Sequence, residues 1–135
     1  MKHELISAAN FIVHLLRLNK QNVCCEPQLN QFKKNLIEEM RKQYYNHWFP
    51  HHPFLKSNFR TIFLIEKSTK KLDPILQQAG KKTGLPKAFL TKIFPEVILF
   101  INPFEVCYRF GENGSLCVLY DINCLHPWVP LTYLT

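Results

Sequence analysis

The chain has 135 residues, 47% of them hydrophobic and 20% charged, a balance that suits one globular domain with a sizeable core and excludes a fibrous or disordered chain. No apolar run approaches the roughly 20 residues of a membrane span, and the opening MKHELISAANFIVHLLRLNK carries Glu4, His14 and Arg17 inside its apolar stripe without a cleavage site, so neither a membrane segment nor a signal peptide is expected. The net charge of +7, from 17 basic against 10 acidic residues, makes nucleic acid or an acidic partner electrostatically reasonable without choosing between them.

In chain order, Leu5, Ala8, Ala9, Ile12, Leu15 and Leu16 recur at three- and four-residue steps and predict an amphipathic helix to about Leu18. Asn19 to Glu26 is polar, and Pro27 suits the first turn of a second helix. That helix carries Leu29, Phe32, Leu36, Ile37, Met40 and Tyr44 on one face, and the two helices are expected to pair antiparallel. NHWFPHHPFLKSN, between Tyr45 and Phe59, has too many prolines for a helix or a central strand.

Phe59 to Ile65 reads as a strand, Glu66 to Lys71 as a charged turn, and Asp73-Pro74 as the cap and first position of a short helix through Lys82. Gly84 closes that helix and Pro86 opens another, ending near Phe94. Strands follow at 97–101, 105–110 and 115–120, with an Asn102-Pro103 break between the first two and Asn113-Gly114 as a two-residue hairpin turn with positive φ. The tail 122–135 has two prolines and no period, and reads as an extension or the start of a linker. The whole predicts an α+β fold: an N-terminal antiparallel helix pair and two short helices packed on a small, mainly antiparallel sheet.

Several chemistries are weak here. The five cysteines (Cys24, Cys25, Cys107, Cys117 and Cys124) are odd in number and form no CxxC pair, which argues for a reducing compartment rather than a disulfide framework or zinc ribbon. His47, His51 and His52 cluster, yet no second ligand cluster supports a metal. No Gly-rich phosphate loop, paired carboxylates or Cys/His arrangement is recognisable, so neither a catalytic residue nor a cofactor is expected. Lys67, Lys70, Lys71, Lys81, Lys82, Lys87 and Lys92 form a loose basic region with few interleaved aromatics, and direct nucleic-acid binding ranks low. The stronger signal is aromatic: Tyr44, Tyr45, Trp48, Phe49, Phe54 and Phe59 crowd one irregular stretch, and Phe94, Phe100, Phe104, Tyr108 and Phe110 another. Rigid rings on Pro-constrained loops are a common way to build a protein interface, because they lose little entropy on docking.

These two stretches carry a resemblance. Tyr45-Asn-His-Trp-Phe-Pro-His-His-Pro53 followed by Asn58-Phe-Arg60 resembles box A of the BTG/Tob antiproliferative family, over about 42–60. Pro95-Glu, the run Asn102-Pro-Phe-Glu-Val-Cys-Tyr-Arg-Phe-Gly-Glu-Asn-Gly114 and Val118-Leu-Tyr120 resemble box B, over about 95–120. The resemblance spans residues 1–121, looks nearer the Tob branch, and is divergent enough to suggest an invertebrate germline-fate regulator.

It implies an adaptor of cytoplasm, and also nucleus, that binds the Caf-type deadenylase subunit of the CNOT complex and works with RNA-binding proteins to repress messenger RNAs. The contact residues it implies are His47, Trp48, Pro50, Pro53, Phe59, Phe100, Asn102, Pro103, Phe104 and Glu105. Where box B usually reads Trp-Val-Asp-Pro, this chain has Phe100-Ile101-Asn102-Pro103. Phe100 loses an indole N–H, and Asn102 loses a negative charge that would strengthen a bond to a partner. Those departures leave self-association, as a module organising RNA-regulatory complexes, as the alternative.

Overall fold

The computed structural model describes residues 1–21, 24–66 and 68–123, so the expected extension over 122–135, apart from its first two residues, lies outside the described residues, as does Cys124. Helices α1 (Lys2–Leu18) and α2 (Glu26–Tyr44) form the predicted pair. Across their connection Arg17 grips Glu26 with two hydrogen bonds, of 3.0 and 2.8 Å, which sets the end of one helix against the start of the next. The short helices α3 (Pro74–Thr83) and α4 (Lys87–Ile93) follow, α3 capped by Asp73 Oδ1 accepting from Ile75 N–H and closed by Gly84 at φ 83°.

Four strands, β1 (Thr61–Phe63), β4 (Val97–Asn102), β5 (Glu105–Phe110) and β6 (Cys117–Asp121), make an antiparallel sheet in the order β1-β4-β5-β6. Alternation along these strands sends Ile62, Leu99, Ile101 and Val106 into the core shared with Leu5, Ile12, Leu36 and Met40 of the helices. Phe63, Ile98, Phe100, Cys107 and Arg109 share the opposite face. The α+β architecture expected from the sequence is the one found.

Four local expectations change. The strand predicted over 59–65 begins later: Ser57–Arg60 is a 3₁₀ turn, because Arg60 folds inward and Thr61 Oγ1 donates back to the Ser57 carbonyl. After Leu64, whose N–H still donates to the Val97 carbonyl at 3.0 Å, β2 (Ile65–Glu66) pairs antiparallel with β3 (Lys71–Leu72), so Glu66 and Lys71, expected in a turn, face each other in a two-stranded sheet. The Asn102-Pro103 break is itself a tight hairpin: Asn102 pairs with Glu105, and Phe104 takes φ 72° after Pro103, as the i+2 residue of a type II turn does.

Asn113-Gly114 does not form the expected two-residue turn. The connection from β5 to β6 spans 111–116, and the positive φ, 67°, belongs to Gly111. Gly114 is needed for space instead: a Cβ there would lie 2.2 Å from the Phe110 carbonyl oxygen. Nothing lies within 4 Å of a Cβ at Gly111, where only the backbone conformation opposes a side chain. Gly114→Ala is therefore expected to destabilise by about 2 kcal/mol or more and Gly111→Ala by about 1 kcal/mol. Paired thermal melts check this, and a larger loss at Gly111 would contradict it.

Candidate functional site

The side chain that organises box A is Arg60, which has no solvent exposure. Its Nε–H donates to the Ile101 carbonyl at 2.8 Å, joining the box A loop to β4. Nη1 donates to the carbonyls of His47, Leu55 (3.0 Å) and Lys56 (3.3 Å), and Nη2 to that of Pro53 (2.9 Å). The remaining acceptor is Asn102 Oδ1, 2.8 Å from Nη2. The planar fork suits this task, since its donors leave in fixed directions and match acceptors from three chain segments. Tyr44, buried at the end of α2, donates its hydroxyl to the Arg60 carbonyl at 3.4 Å, and burial raises that phenol's pKa, keeping it a neutral donor.

Around this hub the resemblance-implied residues fall into groups. The Arg60 guanidinium lies 5.5 Å from the centre of the Trp48 ring, and His47 stacks on Phe59 at 4.8 Å and 8°. His47, Trp48, Pro53, Phe59 and Asn102 thus converge on Arg60 and its neighbours, whereas Pro50 sits exposed on the loop outside them. Phe100 shares the outer face of β4 with Asn102 but is half-buried under the Arg109 guanidinium, 5.5 Å from its ring centre. Pro103 is buried in the turn, and Glu105 pairs with both Asn102 and Asp121. Asn102 itself is only 6% exposed, so the neutral amide in place of a carboxylate acts on a buried internal cation.

Two helix ends hold the box B turn. Tyr44 of α2 fixes Arg60, and Glu4 of α1, 4% exposed, accepts a hydrogen bond from Phe104 N–H at 2.8 Å while its other oxygen lies 3.3 Å from the Met1 amine. The Phe104 carbonyl in turn accepts from Ile122 N–H at 3.0 Å. These contacts hold an aromatic residue in a conformation that costs non-glycine residues about 1–2 kcal/mol, and they leave its ring partly exposed. Phe54, Phe59 and Phe63, each more than half exposed, add apolar surface on the box A segment and β1. Sequence reasoning missed Glu4 and Arg109 and took Arg60 only as part of a motif. The signals were a carboxylate in the apolar stripe of a helix and a lone cation opening an apolar strand.

Burial, aided by the neighbouring Glu105 carboxylate, pushes the Cys107 thiol up to about 12, which keeps it protonated and unreactive at neutral pH. No group of three potential metal ligands occurs among the described residues.

Replacing Arg60 by Lys keeps the charge but loses the fork, orphaning carbonyls of the box A loop. Arg60→Lys is expected to destabilise by about 3 kcal/mol or more, read by denaturant unfolding. Asn102→Asp sets a carboxylate against the guanidinium and is expected to raise stability by about 1 kcal/mol at pH 7. Arg60 lowers that carboxyl's folded pKa, so the gain is present above about pH 4, the ordinary Asp value, and fades as pH falls further. A lower stability of Asn102→Asp at pH 7, or a gain that persists in acid, would contradict the assignment.

Comparison with known proteins agrees with this architecture. The profile of the BTG family matches residues 1–120. The chain is 38% identical to human Protein BTG1 over 121 residues, covering 89% of this chain and 67% of that protein. It is 36% identical to human Protein BTG2, over 90% of this chain and 73% of that one. With human Protein Tob1 it shares 36% identity, over 89% of this chain and 33% of that longer protein. Among solved structures, a two-substitution variant of the C. elegans FOG-3 BTG/Tob domain superposes with a TM-score of 0.74 at 21% identity, covering 91% of this chain and 94% of that one. The chain belongs to the BTG/Tob antiproliferative family.

Proposed function

We propose that this domain is a non-catalytic adaptor that docks the Caf-type deadenylase subunit of the CNOT complex. In this reading it brings poly(A) shortening to messenger RNAs selected by RNA-binding proteins, in cytoplasm and nucleus, and so restrains proliferation or directs germline fate. The observation that carries it is the convergence of box A and box B on Arg60, which binds the Ile101 carbonyl and Asn102 of β4 and lies against the Trp48 ring, with Phe59 next to it stacked on His47. Aromatic rings on a frame already rigid before binding lose little conformational freedom on docking, the condition under which a few side chains dominate affinity.

Phe59, 55% exposed, can be truncated without opening the core. Titration of purified Caf-type deadenylase is expected to give at least micromolar affinity, weakened about tenfold by Phe59→Ala, a cost of about 1.4 kcal/mol. Phe100→Trp, which restores the indole usual in box B, is expected to tighten binding. Folded protein that fails to bind at tens of micromolar would refute the reading.

Self-association is favoured by a different region. Phe110, Leu116 and Ile122, each more than half exposed, flank the edge strand β6, whose outer side carries no strand partner among the described residues. If this region, rather than the box A and box B surface, is the functional one, light scattering on the same samples gives a dimer or larger species that Leu116→Lys dissolves. A strict monomer removes this second reading.

A further inference from the structure

A groove of about 890 Å³ lies between the β2–β3 hairpin and α4, sharing no residue with the box A and box B cluster. Its floor is Ile65, Ala88 and Thr91, and its rim is Lys70, Lys87 and Lys92. The α4 residues occupy positions 87, 88, 91 and 92, one stripe of the helix, while Lys70 stands on the hairpin loop with φ 53°. None of the three lysines joins an ion pair among the described residues, whereas Lys82 nearby in sequence is taken up by Glu39 at 2.6 Å. The hairpin's own carboxylate, Glu66, alternates to the face opposite Ile65 and is paired in register with Lys71. The groove therefore presents a triply positive rim over a floor that is apolar apart from the Thr91 hydroxyl, which has no hydrogen-bond partner among the described residues, and no carboxylate is among its lining residues.

We propose that this groove is a second docking site, for a short acidic peptide segment that seats an aliphatic or aromatic side chain on the floor and sets carboxylates against Lys70, Lys87 and Lys92. Charge complementarity decides the sign of the occupant, and the floor decides its class. A nucleic-acid strand would use aromatic platforms or guanidinium forks, and this lining has neither. Compact ammonium groups around a concave apolar floor fit a peptide whose anchor and carboxylates lie a few residues apart. The domain would then carry two independent surfaces, one aromatic and one basic, as a bridging protein needs.

The test selects random dodecapeptides on the 135-residue chain and titrates the best one by fluorescence anisotropy, with oligo(A) RNA and phosphatidylserine vesicles as parallel probes. Selected peptides are expected to be enriched in Asp and Glu next to Leu, Ile or Phe, and to shift the amide resonances of Ala88 and Thr91. Affinity is expected to fall about tenfold in the Lys87→Glu/Lys92→Glu variant, and to weaken between about 50 and 300 mM salt. Both lysines are exposed, so the variant should melt as the parent does, and Ala88→Trp, which fills the floor, gives a second route to loss. The proposal is overturned if no acidic pattern emerges, if the charge-reversed variant binds equally well, or if only RNA or vesicles perturb Ala88 and Thr91. Deadenylase binding is unaffected by these variants, so the two surfaces succeed or fail separately.

Discussion

A guanidinium sealed from water at the centre of a proline-rich loop constrains everything around it. Removing a charge from water is costly, and no carboxylate among the described residues pairs with it; the compensation is five backbone carbonyls, those of His47, Pro53, Leu55, Lys56 and Ile101, together with the amide oxygen of Asn102. Four of those carbonyls belong to the box A loop, where Pro50 and Pro53 rule out a regular helix or ladder, and the fifth, Ile101, ties that loop to β4. The loop needs the cation as much as the cation needs the loop. This mutual dependence turns an irregular stretch into a fixed surface, and it gives Asn102 its significance: a neutral amide completes the geometry while leaving the positive charge unneutralised.

The helical hairpin completes the frame from the other side. The start of α1 and the end of α2 both reach the region of the β4–β5 turn, Glu4 through the Phe104 amide and Tyr44 through the Arg60 carbonyl. Such contacts, one of them 100 residues apart in sequence, explain how Phe104 is held with positive φ and its ring partly in solvent. Stability of the core and presentation of the surface are thus one problem, so that a substitution at Glu4 should be felt at the candidate site without touching a partner.

Most of the architecture was legible because it rests on local rules. Pro27, the Asp73-Pro74 cap and Gly84 mark helix ends through backbone chemistry that needs no distant partner, and the unbroken apolar run 97–101 marks a buried strand without saying which face meets the helices. What sequence could not give was set by tertiary demand. The 59–65 run has strand propensity throughout, but Arg60 must turn inward, and so the strand starts at Thr61. Asn113-Gly114 carries a strong hairpin signature, yet the close approach to the Phe110 carbonyl, rather than φ, determines the glycine. At the site, motif resemblance drew attention to Phe100 and Asn102, but only coordinates reveal that one lies under Arg109 and the other faces Arg60.

The central claim is that Arg60 holds box A and box B as one unit. Native-state hydrogen exchange on Arg60→Lys, under conditions where the variant remains folded, tests it most directly. The account predicts that protection falls for amides of the box A loop that close its turns, such as His52, Leu55 and Phe59, while Leu85 and Phe94 of the α3–α4 region keep theirs. Unchanged protection across the box A loop, or a loss spread evenly over the whole domain, would contradict it.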